Sequence, residues 1–265
     1  MIIEDCEIVA NTQLAAGLWE MSFRSSNISS QDLLPGQFIS IQINENWERP
    51  LRRPMSIAGA RQDVLSIIYK IFGSGTHELS KKIKGDSINI LGPLGNNFTG
   101  WDSVKTPILI GGGVGLAPIL FLHEHCQRMG IQSILIVGAK TGQEHFLSHD
   151  PSNRLYLTTD DGSIGVNGTV LDALQMLSIS EKNGKLFACG PEMMLSTLQR
   201  FAISQNIQAQ LAVESYMACG FGICQGCVIR RNSNRKSIDE HTYHQKYSLV
   251  CEDGPVYEAN EVLFD

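Results

Sequence analysis

The chain has 265 residues, of which 43% are hydrophobic and 18% are charged, and its formal net charge at pH 7 is −6. This length accommodates two medium-sized domains with a short appendage, and the composition is that of a folded globular protein. An acidic chain lacks the clustered Lys and Arg side chains that bind nucleic-acid phosphates, so we expect no nucleic-acid partner. No apolar run reaches about 18 residues, and the first residues, MIIEDCEIVA, carry acids where a secretory signal is basic. We therefore expect a cytoplasmic protein that does not bind a membrane.

Residues 1–100 predict an antiparallel β-barrel. Short runs rich in strand-forming residues, among them GQFISIQI and VLSIIYKI, follow one another and are separated by turn residues. One helix is expected to interrupt this pattern in the sequence GTHELSKKI, with Thr76 as its N-cap.

Residues 101–213 alternate strand-like and helix-length segments, which predicts βαβ crossovers and a parallel sheet covered on both faces. The expected strands are 107–110, 133–137, 155–159, 185–189 and 207–213, and the expected helices are 117–129, 169–177 and 192–205. In such a sheet a nucleotide binds at the carboxyl ends of the strands.

Residues 214–265 predict a small third β segment. It consists of a loop rich in Gly and Cys, a polar stretch at 230–246 and a short strand pair around LVCEDGPVYEA. A segment of about fifty residues buries little core by itself, so a metal would help to stabilise it.

Four cysteines in this segment are spaced as Cys219-x4-Cys224-x2-Cys227-x23-Cys251. The spacing C-x4-C-x2-C with one distant Cys is that of plant-type [2Fe–2S] ligands, three from one loop and one from elsewhere. The alternative is a structural zinc site, but zinc sites generally use two short C-x2-C pairs, and only Cys224 and Cys227 form one. The sequence favours the iron–sulfur cluster.

The segment ILIGGGVGLAP, residues 108–118, predicts a strand that runs through glycines into a helix. Glycine allows a pyrophosphate to approach the backbone, and the helix N-terminus favours negative charge. The motif departs from G-x-G-x-x-G because Pro118 occupies the position of the third glycine. Taken alone, it fits a nucleotide site or an ordinary tight turn.

Two further motifs have two interpretations each. In FACGPEM, Cys189 ends a predicted strand, where it is either a buried small residue or part of a nicotinamide pocket. In RRPMS, Arg53 offers planar donors for phosphate and Ser56 a hydroxyl for a flavin nitrogen. The alternative for RRPMS is a basic turn before a strand.

In this order, the motifs resemble those of the ferredoxin–NADP reductase superfamily, in which an FAD-binding barrel precedes an NAD(P)-binding α/β domain. The motif R-x-x-S occurs as Arg53–Ser56, G-G-G-x-G-x-A-P as Gly111–Pro118, and C-G-P-x-x-M as Cys189–Met194. With the cysteine segment added, the whole chain is similar to the electron-transfer subunits of type-1B dihydroorotate dehydrogenases. Related NADH-dependent ferredoxin:NADP oxidoreductases and sulfide dehydrogenases typically carry Asp at the first cluster position, so Cys219 favours the dihydroorotate-linked group.

The resemblance implies a set of site residues. The FAD contacts it implies are Arg53, Pro54, Met55, Ser56, Ile68, Tyr69, Lys70, Gly75 and Thr76. The NAD contacts it implies are Gly112, Gly113, Gly115, Cys189, Gly190, Pro191 and Glu192. The cluster ligands it implies are Cys219, Cys224, Cys227 and Cys251. Ser56, orienting the flavin, and Cys189, shaping the nicotinamide site, are the expected catalytic residues.

The resemblance also implies a partner, an FMN-containing dihydroorotate dehydrogenase catalytic subunit, in a heterotetramer with two copies of each chain. Electrons would pass through the [2Fe–2S] cluster and FAD to NAD⁺, in pyrimidine (UMP) biosynthesis. We expect NAD and not NADP, because the loops after the second and third parallel strands offer only Lys140 beside Asp160 and Asp161 for a 2′-phosphate. The alternatives are an NAD(P)H-dependent ferredoxin reductase, a bifurcating or sulfide dehydrogenase small subunit, and a non-catalytic zinc-binding regulatory module.

Overall fold

The computed structural model describes residues 1–29, 31–43, 50–177, 184–232 and 246–264. Most of the polar stretch at 230–246 therefore lies outside the described residues. Within the described residues, no helix is long and apolar enough to cross a membrane.

The first part of the chain forms a closed antiparallel barrel, as predicted, with the strand order β1-β2-β5-β4-β3-β6. The strands are β1 (Ile2–Ala15), β2 (Leu18–Arg24), β3 (Phe38–Gln42), β4 (Arg53–Arg61), β5 (Val64–Lys70) and β6 (Ser87–Leu94). Alternation along β5 shows how the sequence specifies the two faces. Leu65, Ile67 and Tyr69 belong to the barrel core, whereas Lys70 is exposed.

A helix, α1 (Ser74–Lys81), follows β5, but its N-cap is Gly73 and not Thr76. Gly73 has a φ of 83°, a conformation that glycine adopts readily, and it starts the helix three residues earlier than expected. The Thr76 hydroxyl instead accepts a hydrogen bond from the backbone N–H of Phe72, at 2.7 Å. The prediction of Thr76 as the N-cap was therefore wrong.

The second part is a seven-stranded sheet with the order β10-β9-β8-β7-β11-β12-β15. Its strands are β7 (Ile108–Gly112), β8 (Ile134–Ala139), β9 (Leu155–Thr159), β10 (Val166–Asn167), β11 (Leu186–Cys189), β12 (Ala209–Ala212) and β15 (Val256–Glu258). The helices are α2 (Leu116–Arg128), α3 (Val170–Met176) and α4 (Glu192–Ser204). All pairings in the sheet are parallel except that of β15 with β12.

Strand order reverses between β7 and β11. From β7 the chain continues through β8 and β9 on one side, and it returns to the other side with β11 and β12. In open α/β sheets, ligands bind at the carboxyl ends of the strands where this reversal occurs. Here Gly111 of β7 is paired with Cys189 of β11 at that position.

The last part forms a small sheet with the order β14-β13-β16, made of β13 (Val228–Arg231), β14 (Tyr247–Leu249) and β16 (Val262–Leu263). The strand pair expected around LVCEDGPVYEA is not formed, since β14 pairs with β13 and β15 with β12. The reason is that β12 lies at the edge of the parallel sheet, where its backbone groups are open to another strand.

Helix α2 joins the α/β sheet to the barrel. Its Ala117 packs with Ala58 of β4 and Ile68 of β5, and Phe121 belongs to the barrel core. At the rim, Arg61 Nε lies 2.7 Å from Glu124 Oε1. The outer face of β4 and β5 therefore faces the start of α2 and the glycine turn before it.

Candidate functional site

Strand β4 presents part of the R-x-x-S motif on the outside of the barrel. Met55 and Ile57 pack against the barrel core. Because alternate residues of a strand face opposite sides, Pro54 and Ser56 share the outer face with Ala58. The hydroxyl of Ser56 is thereby placed on the side that meets the α/β sheet.

Arg53 lies beside the first turn of α1. A Cβ added to Gly75 would be 3.2 Å from Arg53 Nε, so the guanidinium lies directly over this residue. Among the described residues, no side chain caps the N-terminus of the helix. Uncapped N–H groups next to an arginine suit a phosphate, so Arg53, Gly75 and Thr76 fit the pyrophosphate of a flavin dinucleotide.

Tyr69 lies inside the barrel, unlike its neighbours in β5. Its hydroxyl donates to Asn11 Oδ1 at 2.8 Å, and burial raises the pKa of the phenol to about 12. Ile68 is on the outer face and packs with Ala58, and Lys70 is exposed. Tyr69 can therefore offer only its backbone to a ligand outside the barrel.

The glycine turn consists of a 3₁₀ turn, Gly113–Gly115, between β7 and α2. A Cβ on Gly115 would lie 2.4 Å from both the carbonyl carbon of Cys189 and the nitrogen of Gly190. Glycine is therefore required at position 115 because the backbone of the turn approaches that of Cys189 and Gly190 closely. Gly113 is different, since it has a φ of 56° and an added Cβ would meet no atom within 4 Å. This residue leaves open space for a ligand.

The C-G-P-x-x-M motif packs against the same turn. A Cβ on Gly112 would lie 2.7 Å from Met194 Sδ, and one on Gly190 would lie 2.5 Å from Met194 Cε. Pro191 is the N-cap of α4, and Pro191 and Glu192 are exposed at this edge of the sheet. The motif thus brings the ends of β7 and β11 together.

Cys189 is 2% exposed and packs in the core layer that contains Phe187. Burial raises the pKa of its thiol well above the usual value, and the nearby charge of Glu214 acts in the same direction. A protonated, enclosed thiol is inert as a nucleophile. The expected role of Cys189, shaping the wall of the nicotinamide site, needs no reactive thiol. That role stays a prediction.

The four cysteines of the C-terminal segment are brought together, and backbone N–H groups point at their sulfurs. Gly222 N donates to Cys251 Sγ at 3.1 Å, Cys224 N to Cys219 Sγ at 3.4 Å, and Cys251 N to Cys227 Sγ at 3.4 Å. Glycine at position 222 has a φ of 86°, which permits the tight loop. Such donors stabilise thiolates and tune iron–sulfur clusters.

These cysteines form two pairs. Burial alone would raise the pKa of Cys219, but hydrogen bonds from Cys224 and from backbone N–H groups lower it to about 7. Burial, together with the neighbouring Cys227 thiol, raises the pKa of Cys251 to about 12. Cys227 and Cys251 are buried and Cys224 is exposed, so the site has an inner and an outer pair.

Two pairs of sulfurs fit a two-iron core, in which each iron takes two thiolates. A single zinc ion would need four ligands converging on one point. The donor set therefore fits a [2Fe–2S] cluster better than zinc.

The cysteine loop lies against the barrel. A Cβ on Gly220 would be 3.5 Å from Ser40 Oγ and 3.6 Å from Leu94 Cδ1. Ser40 in β3 is paired with Pro54 in β4. Neighbouring strands are about 4.8 Å apart, so only β3 separates the cysteine loop from the Arg53–Ser56 segment.

Comparison with known proteins agrees with this arrangement. Residues 214–263 match the model of the iron–sulfur cluster binding domain of dihydroorotate dehydrogenase B. A dihydroorotate dehydrogenase B (NAD(+)) electron transfer subunit from Fusobacterium nucleatum subsp. nucleatum is 35% identical, over 99% of both chains. The chain belongs to this family. The electron transfer subunit from Caldanaerobacter subterraneus subsp. tengcongensis is 33% identical, over 97% of both chains.

Solved structures show the same fold as this family member. An NADH-dependent reduced ferredoxin-NADP oxidoreductase structure has a TM-score of 0.81 and 26% identity, covering 98% of this chain and 90% of that one. A ferredoxin NADP⁺ reductase from Neisseria gonorrhoeae, solved with bound FAD and NADP, has a TM-score of 0.62 and 16% identity, covering 76% and 91%. The second likeness supports the barrel and α/β fold alone.

The sequence patterns did not identify two residues that make contacts near the candidate site. Asn96 hydrogen-bonds residues near position 255, and Glu144 pairs with Lys70 beside the glycine turn. Asn96 lies in the stretch LGPLGNNF, but no motif indicates its partners. Glu144 follows the second parallel strand, β8, where an acidic residue commonly meets a ribose, and this signal could have identified it.

Proposed function

We propose that this chain is the electron-transfer subunit of an NAD-linked dihydroorotate dehydrogenase, acting in pyrimidine (UMP) biosynthesis. It takes electrons from an FMN-containing catalytic subunit and passes them to NAD⁺, using a [2Fe–2S] cluster and FAD. The observation that carries this proposal is the position of the cysteine loop, whose Gly220 packs on β3, the strand next to Arg53–Ser56. A bound flavin supplies the exchange between single electrons and the hydride that nicotinamide accepts.

The barrel residues would hold the flavin. Arg53, with Gly75 and Thr76 at the start of α1, would bind the pyrophosphate. Pro54 and Ser56 would lie along the ring, where the Ser56 hydroxyl can orient its polar edge. Ile68 and Lys70 would contact it from β5, while Met55 and Tyr69 would support this face from inside the barrel.

The ends of β7 and β11 would hold the nicotinamide nucleotide. Gly113 leaves space for the pyrophosphate, and the packing of Gly112, Gly115 and Gly190 keeps the two strand ends together. Pro191 and Glu192 would line the exposed side, and Cys189 the buried one. These residues bind and orient the nicotinamide, and none of them needs to transfer a proton.

The two cysteine pairs, Cys219 with Cys224 and Cys227 with Cys251, would together hold the cluster. We assign residues 1–100 to an FAD-binding barrel, 101–213 to an NAD-binding domain and 214–265 to the cluster segment. We place the protein in the cytoplasm, since none of its seven cysteines is in a disulfide and a reducing compartment preserves thiols and thiolate ligands. Assembly is proposed as two copies of each subunit.

Anaerobic purification with the catalytic subunit tests this function. We expect FAD, equal amounts of iron and labile sulfide, and reduction of NAD⁺ by dihydroorotate. Cys224→Ser should lose iron and the cluster absorption bands while retaining FAD. Cys126→Ala, which changes a buried cysteine of α2 outside the cluster, should retain both. A colourless protein with zinc, or a flavin–iron complex without dihydroorotate:NAD⁺ activity, would overturn the proposal.

A further inference from the structure

A cleft lies between the barrel and the carboxyl ends of β7 and β8. Its wall includes Gly113 of the glycine turn, Gly138 of β8 and Lys70 of β5. The 3₁₀ turn Gly142–Glu144, which follows β8, contributes Glu144 to its lining. A carboxylate and an ammonium group from different parts of the fold therefore meet in the wall of the cleft.

The turn that carries Glu144 is held in place on two sides. The N–H of Gly142 donates to Ser163 Oγ at 2.7 Å, and the carbonyl oxygen of Gln143 accepts from Ala16 N at 3.0 Å. Glu144 Oε2 itself lies 3.1 Å from Lys70 Nζ. The carboxylate is thus positioned by the α/β sheet, the barrel and an ion pair before any ligand binds.

The direction of a bound dinucleotide follows from the sheet order, and this step rests on the proposed function. Strand β7 has β11 on one side and β8 on the other. With the pyrophosphate at Gly113 and the nicotinamide beside Cys189 of β11, the adenosine half extends over the end of β8. Its ribose then lies in the part of the cleft that Gly138 of β8 and Glu144 line.

We propose that Glu144 selects NAD over NADP. Lys70 is the one Lys or Arg among the described residues that line the cleft, and Glu144 already pairs with it. A 2′-phosphate, with a charge of about −1.5 to −2 at pH 7, would face this carboxylate, and the lysine of the lining is already paired with it. The 2′-hydroxyl of NAD can instead donate to the same carboxylate.

Glu144→Gln tests this selection, since it removes the charge, preserves the shape and releases Lys70. Binding is measured by calorimetry with two probes, AMP and adenosine 2′,5′-bisphosphate, on the holoprotein. We expect the affinity for the bisphosphate relative to AMP to rise about fivefold, as for one like-charge contact removed at a partly exposed site. The ratio of kcat/KM for NADPH over NADH should rise in the same proportion.

Glu124→Gln is the matched control, because it breaks a second ion pair, between Glu124 of α2 and Arg61 of the barrel, away from the cleft. It should leave both ratios unchanged. Unchanged ratios in Glu144→Gln and Glu144→Ser, with AMP still bound, would overturn the selection and leave the proposed function standing. A wild-type protein that reduces NAD⁺ but binds neither probe would overturn both the cleft assignment and the selection.

Discussion

The side-chain amide of Asn96 pairs with the backbone of Val256 in both directions. Its Nδ2 donates to the Val256 carbonyl oxygen at 2.8 Å, and its Oδ1 accepts from the Val256 N–H at 2.8 Å. Nδ2 also donates to the Asp253 carbonyl oxygen at 2.8 Å, and the Asn96 N–H donates to the Gly254 carbonyl oxygen at 2.7 Å. One barrel residue thus fixes the turn that follows the proposed cluster ligand Cys251.

Asn96→Ala should weaken this junction. Loss of the amide leaves backbone groups of the turn without partners, which we expect to lower the free energy of unfolding by about 2–3 kcal/mol. Urea denaturation measures this loss, and iron retention during gel filtration should fall with it. Asn97→Ala is the control, since the Asn97 amide donates only to the adjacent Phe98 carbonyl oxygen among the bonds described. Equal effects of the two substitutions would contradict the role of Asn96.

Gly115→Ala should be more damaging to stability than Gly113→Ala. The new Cβ at position 115 would overlap the backbone of Cys189 and Gly190, so we expect a loss above about 3 kcal/mol. At position 113 the space is open, and only the left-handed backbone costs about 1–2 kcal/mol. Thermal unfolding compares the two, and AMP binding should suffer in the stable Gly113→Ala variant. A Gly115→Ala protein as stable as wild type would refute the close approach.

Tyr69→Phe should leave FAD binding unchanged. The phenol faces Asn11 inside the barrel, so its removal costs one hydrogen bond, about 1 kcal/mol, without touching the outer face. FAD content and the FAD dissociation constant measure the first effect, and urea denaturation the second. A large loss of FAD affinity would show that the hydroxyl reaches the flavin side.

The Glu4 carboxyl makes the stability of the barrel depend on pH. Partial burial would raise the pKa of its carboxyl, but hydrogen bonds from Ser25 and from the backbone N–H groups of residues 26–28 outweigh this and lower the pKa below 4.5. A lowered folded-state pKa stabilises the fold above pH 4.5, and this stabilisation is lost as the pH falls through the folded-state value.

Melting temperatures from pH 7 to pH 3.5 measure this contribution. Glu4→Gln should melt below wild type at neutral pH, and the difference should shrink below pH 4.5. Glu7→Gln serves as the control, because the Glu7 carboxylate makes an exposed ion pair with Arg24. If the difference in melting temperature between wild type and Glu4→Gln were constant with pH, the Glu4 carboxyl would not link stability to pH.

The features that the sequence predicts well are local ones. The spacing of Cys219, Cys224 and Cys227 is set within one loop, and the strand-forming run VLSIIYKI predicts β5 (Val64–Lys70) from its own residues. Glycine turns are likewise local. The sequence alone, however, could not show that Gly115 is required by a close backbone contact, whereas Gly113 borders open space. The barrel, the parallel sheet and the small third segment all follow from such patterns.

The features that the sequence did not predict depend on residues far apart in the chain. Asn96 meets Val256 across 160 positions, and Glu144 meets Lys70 across 74. Strand β15 pairs with β12 because β12 has an open edge, and no pattern within LVCEDGPVYEA indicates this pairing. Thr76 has the right residue type for a cap, but the left-handed conformation of Gly73 determines where the helix begins.

By pairing with β12, strand β15 of the cluster segment covers the edge of the parallel sheet. In a chain whose residues 214–263 have not folded, β12 would present a row of unpaired N–H and C=O groups at the border of an apolar sheet. Exposed borders of this kind template the addition of strands from other molecules. The pairing of β15 therefore also guards the parallel sheet against such additions, because it covers the open edge of β12.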